Sequence, residues 1–286
     1  MLLNGELIEV ACGFCGGGDR DALVTVGNLR VVQCKECKLV YVTPRPTANA
    51  LRTLYAAYHL RDGGSEHSWA SLMRRIFEES ADVLKDSRNG NGQGRLLDVG
   101  CGFGGFVELM CRRGWKAEGI DPSPNVVAAA AKKGIPVRLG TLEECGALAA
   151  SFDAITMFYV LEHLADPMRA LRKAYDLLAP GGILLVRVPD TTPIVRMLTP
   201  FALGASLYDA PYHLYDFSSS VLRKMLEKTG FEEIVTFPGV PTRPHRLGPR
   251  IVALLCGTLA NTLYALSKRR FLLPGVSKTT IARKPR

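Results

Sequence analysis

RLLDVGCGFGG, residues 95–105, carries the reading of the fold. Leu96, Leu97 and Val99 form the unbroken apolar run of a strand covered on both faces. Three glycines at alternate positions then turn the chain into a helix expected over 105–113. Working outward, the same rhythm repeats: a strand over 116–121, a helix over 125–133, and strands over 136–139, 152–158 and 182–188. Helices are expected between them over 142–149 and 167–178, and again over 218–229. Strands alternating with helices predict an α/β, doubly wound, mostly parallel sheet. In such a sheet ligands sit beyond the carboxyl ends of the strands, where the strand order reverses. Asp98 is the exception in its strand, a carboxylate two residues before the first glycine.

The length, 286 residues, suits one large domain with an appended module. Hydrophobic residues at 47% and charged residues at 22% exclude a disordered or fibrous chain. The N-terminus has no basic segment leading into an apolar run, so the expectation is a cytoplasmic protein with reduced cysteines. The formal charge of +9 is unevenly placed. Residues 241–286 hold ten Lys or Arg and no Asp or Glu, leaving 26 basic and 27 acidic side chains in the first 240. That near-neutral body lacks the basic stripe that nucleic-acid binding requires.

Four of the eight cysteines, Cys12, Cys15, Cys34 and Cys37, form two Cys-x-x-Cys turns eighteen residues apart. This is the spacing of a structural zinc site with four thiolates. Two short strands, 22–26 and 29–33, joined through Gly27 and Asn28, would bring the turns together as a ribbon. The expected organisation is therefore a zinc ribbon over 1–47 and a helical connector over 48–94, with helices at 48–59 and 69–85, a polar gap at 61–68 and a break at 89–94. The main domain would run over 95–286, with insertions at 190–217 and 241–276. Cys101, Cys111, Cys145 and Cys256 lack such spacing and read as packing residues.

GCGFGG (100–105) satisfies the dinucleotide fingerprint G-x-G-x-x-G, and Asp121 stands at a suitable distance for a ribose-binding acid. Asp98 argues for another ligand, because it would repel a pyrophosphate and welcome an ammonium. A nicotinamide-dependent oxidoreductase and an RNA methyltransferase docking through the ribbon are the alternatives. LDVGCGFG (97–104), GIDPS (119–123), FDAI (152–155) with LEH (161–163), and LAPGGILL (178–185) follow one another at intervals that closely resemble the class I S-adenosylmethionine-dependent methyltransferases. The preceding CKECKLVYVTPRP (34–46) resembles the bacterial branch of that family that carries a zinc ribbon.

The resemblance implies a seven-stranded sheet whose last strand, 278–283, inserts antiparallel beside 232–237. It places Gly100, Cys101, Gly102 and Gly104 against the methionine part of the cofactor. Asp98 would hold its ammonium directly or through water, Asp121 its ribose hydroxyls, and Pro122 would lie beside the adenine. An acid often found after the third strand is missing at Thr141, so adenine contacts fall to Leu142 and Glu143. Phe158 and Tyr159 would line the far side. The implied activity is O- or C-methylation of a small molecule or of a cell-envelope or polysaccharide precursor.

Deprotonating a hydroxyl or activated carbon near neutral pH suits histidine. His163, His213 and Tyr159 are the catalytic candidates, His213 within the aromatic segment DAPYHLYDF (209–217). Finally, sixteen residues without charge, 251–266, lie between Arg243, Arg246 and Arg250 on one side and Lys268, Arg269 and Arg270 on the other. Sixteen is short for a membrane span. On a helix Ile251, Leu254, Leu255, Leu259, Leu263 and Leu266 share a face, suiting either a core groove or peripheral contact of residues 243–270 with the inner face of a membrane.

Overall fold

The computed structural model describes residues 7–56, 66–86, 94–201, 204–241 and 247–286. At the N-terminus β1 (Leu7–Ile8), β2 (Arg20–Val26), β3 (Leu29–Cys34), β4 (Val40–Val42) and β5 (Arg45–Pro46) precede α1 (Ala48–Ala56) and α2 (Glu66–Asp86). The alternating segment follows: β6 (Arg95–Val99), α3 (Gly105–Arg112), β7 (Lys116–Asp121), α4 (Pro124–Lys132), β8 (Val137–Leu139), β9 (Phe152–Phe158), α5 (Pro167–Leu177) and β10 (Leu178–Val188). The remainder is α6 (Thr192–Leu198), β11 (Tyr215–Asp216), α7 (Ser219–Thr229), β12 (Glu232–Phe237), α8 (Leu247–Leu266) and β13 (Lys278–Arg283).

The main sheet has seven strands in the order β12-β13-β10-β9-β6-β7-β8. Strands β6 to β10 are parallel, and β13 is antiparallel to both β10 and β12, inserted between them. Because the chain runs from β6 outward through β7 and β8 and returns to β9, the crevice opens between β6 and β9. Leu96, Leu97, Ala154, Ile155, Leu184 and Leu185 are fully buried, as their unbroken apolar runs require.

Three expectations are corrected or limited. Residues 142–149 form no helix: Glu144 Oε2 accepts from Thr141 N and Oγ1 at 3.1 Å, closing a single turn. That turn buries Leu142 and Cys145, and beyond it Leu148 lies exposed, so burial does not extend over a longer helix. Residues 57–59 of the first expected helix, 61–65 of the polar gap and 89–93 of the break lie outside the described residues. Third, α2, read as part of a connector, buries Met73, Ile76, Phe77, Ala81 and Leu84 in one cluster with Leu96, Phe106, Met110 and Phe158. The rings of Phe77, Phe106 and Phe158 meet at 4.8–5.3 Å, so in packing α2 belongs with the sheet.

The turn between β6 and α3 shows why glycine occupies it. Gly104 has φ +77, and a Cβ there would stand 2.8 Å from Ile135 Cγ2 and 3.0 Å from Val137 Cγ2. Gly104→Ala combines a left-handed alanine with this overlap and is expected to cost about 2 kcal/mol, read as a lowered urea midpoint at unchanged slope.

The second sheet, β11-β4-β3-β2, joins the cysteine-bearing hairpin to the insertion after β10: Tyr215 pairs with Tyr41 and Asp216 with Val40. Helix α8 carries the largest surprise. Gly257 and Ala260 are buried, Asn261 Nδ2 donates to the Gly239 carbonyl at 2.9 Å, and the Tyr264 hydroxyl donates to the Thr236 carbonyl at 3.2 Å. The helix docks through its small and polar side, and Ile251, Leu255, Leu259 and Leu266 face outward.

Candidate functional site

A cavity of about 450 Å³ opens at the carboxyl ends of β6, β7, β8 and β9. It is lined by Val99 and Gly100 at the end of β6, Asp121 and Pro122 at the end of β7, and Leu142 and Glu143 after β8. Phe158 and Tyr159 line it at the end of β9, together with His163 from the following turn and Asp209 and His213 from the insertion after β10. Tyr55 from α1 and Trp69, Leu72 and Met73 from α2 complete the walls.

Asp121 ends β7 with its carboxylate fixed twice: Oδ2 accepts from Gly102 N and Oδ1 from Ser123 N, each at 2.9 Å. The acid thus clamps the glycine turn to the neighbouring strand while lining the cavity. Gly100, with φ +64, brings bare backbone to the cavity wall; a Cβ would meet Val160 Cγ2 at 2.5 Å. Cys101, Gly102 and Gly104 lie behind this surface. Cys101 is a packing residue whose thiol is pushed up by burial, and its Sγ explains why Gly119 carries no side chain.

Asp98 is also buried behind the wall, accepting from Thr156 Oγ1 at 2.6 Å. Burial, helped by the charge of Asp121 and opposed by the Thr156 hydroxyl, raises its carboxyl to about 7.

Tyr159 adopts φ +56, held by strand β10 at two points. Its N donates to the Arg187 carbonyl at 2.8 Å, and its hydroxyl oxygen accepts from Arg187 Nε at 3.0 Å. Arg187 is itself buried, donating also to Thr279 Oγ1 and the Val240 carbonyl at 2.8 and 2.9 Å. At the far end the turn Leu161–His163 is stitched to the insertion. Leu214 N donates to the Glu162 carbonyl at 2.8 Å, and His163 Nδ1 meets the Tyr212 carbonyl at 2.9 Å. The Tyr55 hydroxyl lies 2.8 Å from both the His163 and Tyr212 carbonyls. The His163 and His213 rings meet edge to face at 4.8 Å. Beneath them Glu162 is fully buried, and burial, with the charge of Asp216, raises its carboxyl to about 8.

Of the residues expected at the site, Gly100, Asp121, Pro122, Leu142, Glu143, Phe158, Tyr159, His163 and His213 share this one cavity; Asp98, Cys101, Gly102 and Gly104 do not line it. The sequence reading missed Tyr55, Trp69, Leu72 and Met73 as cavity walls. The amphipathic pattern of 69–85 marked a buried face but not what that face covers.

Away from the cavity, Cys12 and Cys37 place their sulfurs 3.4 Å apart, as do Cys15 and Cys34, and all four sulfurs lie within 4.8 Å of one another. Tetrahedral zinc with Zn–S of about 2.3 Å needs sulfurs roughly 3.8 Å apart, so the donor set is compatible with zinc. Each turn is closed by a backbone bond, Gly16 N to the Cys12 carbonyl at 2.9 Å and Lys38 N to the Cys34 carbonyl at 3.1 Å.

Residues 62–236 match a family model described as a methyltransferase domain. Among curated relatives, a ubiquinone biosynthesis O-methyltransferase of Xanthomonas axonopodis pv. citri is 40% identical over 106 residues, 35% of this chain and 44% of the relative. One of Dinoroseobacter shibae is 31% identical over 173 residues, 57% of this chain and 69% of the relative. The chain thus spans less than half the length of the first of these. Among solved structures, a Haemonchus contortus phosphoethanolamine N-methyltransferase 2 in complex with phosphomonomethylethanolamine and S-adenosylhomocysteine shares 16% identity at TM-score 0.57, covering 94% of this chain and 71% of that one. A Thermotoga maritima SAM-dependent methyltransferase shares 22% identity at TM-score 0.52, covering 82% and 99%. At these identities the structural likeness speaks for the fold.

Proposed function

In a chain that belongs to the class I S-adenosylmethionine-dependent methyltransferases, we propose that the cavity holds the cofactor at its Gly100 and Asp121 end. The methyl would pass to an oxygen of a small-molecule or lipid-linked acceptor bound at the His163 and His213 end. The single observation that carries this reading is the continuity of one cavity from Asp121 to His213. When bound, S-adenosylmethionine supplies a methyl group on a sulfonium, open to in-line displacement. Asp121, a carboxylate that lines the cavity and whose oxygens can each accept more than one donor, would receive the ribose hydroxyls, with Pro122, Leu142 and Glu143 around the adenine. Gly100 allows close approach of the methionine part, and Phe158 and Tyr159 keep water from the transfer path. His163 and His213 mark where the acceptor's proton leaves. Oxygen is favoured as the acceptor atom because the curated relatives are named O-methyltransferases. The four-cysteine cluster would hold a structural zinc, with no open position for chemistry.

Transfer of label from methyl-labelled cofactor to a panel of hydroxyl-bearing acceptors tests the assignment. Lost transfer in His213→Ala with retained S-adenosylhomocysteine affinity supports it; undiminished transfer in both His213→Ala and His163→Ala overturns it.

Asp98, placed behind the methionine end, would act on the ammonium through water. Because its carboxyl titrates at about 7, a proton must leave before it can attract a cation. Affinity is therefore expected to rise about tenfold from pH 6 to pH 8 and then level off. Calorimetry across that range checks this, with Asp98→Asn expected to flatten the profile.

The outward stripe of α8 fits an anionic lipid surface. Leu255 and Leu266 are 66% and 76% exposed, Phe271 continues the apolar patch, and Lys268, Arg269 and Arg270 lie exposed beside it. Arg243 and Arg246 lie outside the described residues. Ser277, eleven residues after the end of α8, lines the cavity. Among the described residues no helix is long and apolar enough to cross a membrane. Each basic side chain near anionic lipid contributes about 1 kcal/mol. Cosedimentation with anionic but not neutral vesicles is expected, and is expected to fall more than about tenfold when Lys268, Arg269 and Arg270 are neutralised. Equal recovery on both vesicle types would end the proposal.

A further inference from the structure

We propose that Glu162, His163 and His213 form a divalent-metal site at the acceptor end of the cavity. One ligand atom from each lies within 4.8 Å of the others, the reach of a single ion's coordination shell. A second, independent observation is the state of Glu162. It is 0% exposed, yet neither carboxylate oxygen has a hydrogen-bond partner on any other described residue. Buried carboxylates are paired, hydrogen-bonded or metal-bound in folded proteins, and the nitrogen donors beside this one belong to two imidazoles.

The orientation of His163 supports a ligand role. A carbonyl oxygen only accepts, so the contact between Nδ1 and the Tyr212 carbonyl at 2.9 Å puts the ring proton on Nδ1 and leaves the lone pair on Nε2. Metal-ligating histidines are held in this way, through a backbone carbonyl on the other ring nitrogen. The holding frame is tied at two further points. Tyr55 approaches the same carbonyl, and Leu214 N ties the insertion to Glu162.

Two imidazoles and one carboxylate leave coordination positions open, in contrast to the closed four-cysteine cluster. Such a set suits zinc, cobalt, iron(II) or manganese rather than an ion that demands thiolates. This inference rests on the reading of the His163 and His213 end as the acceptor end. There a divalent cation would lower the pKa of an acceptor hydroxyl so that its proton is released to water. It would also account for how proton removal is achieved by rings already committed to a carbonyl and to each other.

The test uses full-length protein with its cysteine cluster zinc-loaded, titrated with Co2+ and followed by visible absorption and metal analysis. The expected result is one further metal per chain, with weak ligand-field bands and no intense sulfur-to-metal band. Glu162→Gln and His213→Gln are each expected to weaken Co2+ binding more than about tenfold while leaving the zinc of the cysteine cluster in place. His213 sits on a partly exposed loop, so it remains informative if Glu162→Gln fails to fold. Absence of a second metal, or Co2+ affinity unchanged in both variants, overturns the site. S-adenosylhomocysteine binding measured on the same samples separates the two readings: retained binding without Co2+ uptake removes the metal site alone.

Discussion

Replacing Asp121 with alanine is expected to weaken S-adenosylhomocysteine binding about a hundredfold. The carboxylate is buried at the end of β7, and each oxygen already accepts one backbone N–H, from Gly102 and from Ser123. Asp121 also lines the cavity, and a carboxylate oxygen can accept from more than one donor. Two ribose hydroxyls on a charged acceptor contribute about 1.5 kcal/mol each, together about 3 kcal/mol, or roughly two decades in affinity. The substitution also frees the Gly102 N–H and releases the turn that presents Gly100, adding to the loss. Asp121→Asn keeps one acceptor oxygen and is expected to fall between. Calorimetry gives the affinities, and the melting temperature distinguishes a loosened turn from an unfolded domain.

Cys34→Ser is expected to remove zinc and lower the melting temperature by about 10 °C or more. Cys34 is buried at the end of β3, its sulfur 3.4 Å from that of Cys15. Structural zinc contributes about 10–16 kcal/mol in small zinc-binding peptides, and losing even a third of that is about 4 kcal/mol. In a domain of this size each kcal/mol shifts the midpoint by about 2–4 °C. The effect should reach the acceptor end, because β4 of the second sheet pairs with β11, next to Leu214 and His213. Methyl transfer should therefore fall further than cofactor affinity. Metal analysis and thermal melts of the variant check this, and unchanged zinc content would refute it.

The strand and glycine turn at 95–105 were legible because their chemistry is local: an apolar run, then residues that tolerate positive φ. The four-cysteine spacing was legible for the same reason. The double use of Asp121 was not, since it depends on the register that sets Val99 beside Ile120 across two parallel strands. His163 and His213 could be named from sequence as separate candidates. Only the bond from Leu214 to Glu162 and the packing of Tyr55 bring them to one point over a buried carboxyl.

Helix α8 shows the limit most plainly. Periodicity identified its leucine face and left open whether that face met a core groove or a membrane. The chain instead docks the small face, where Gly257 approaches Pro241 so closely that a Cβ would stand 2.6 Å away, and leaves the leucines outward. The expected helix over 142–149 is replaced by one turn closed by Glu144 onto Thr141, with Leu142 and Cys145 buried from it and Leu148 turned outward.

Whether the cavity between β6 and β9 is built for S-adenosylmethionine is decided by calorimetric titration of the purified protein with S-adenosylhomocysteine and, separately, with NAD. One S-adenosylhomocysteine is expected to bind per chain in the micromolar range, with no heat from NAD, despite the literal G-x-G-x-x-G of residues 100–105. Binding of NAD with S-adenosylhomocysteine silent would contradict that assignment.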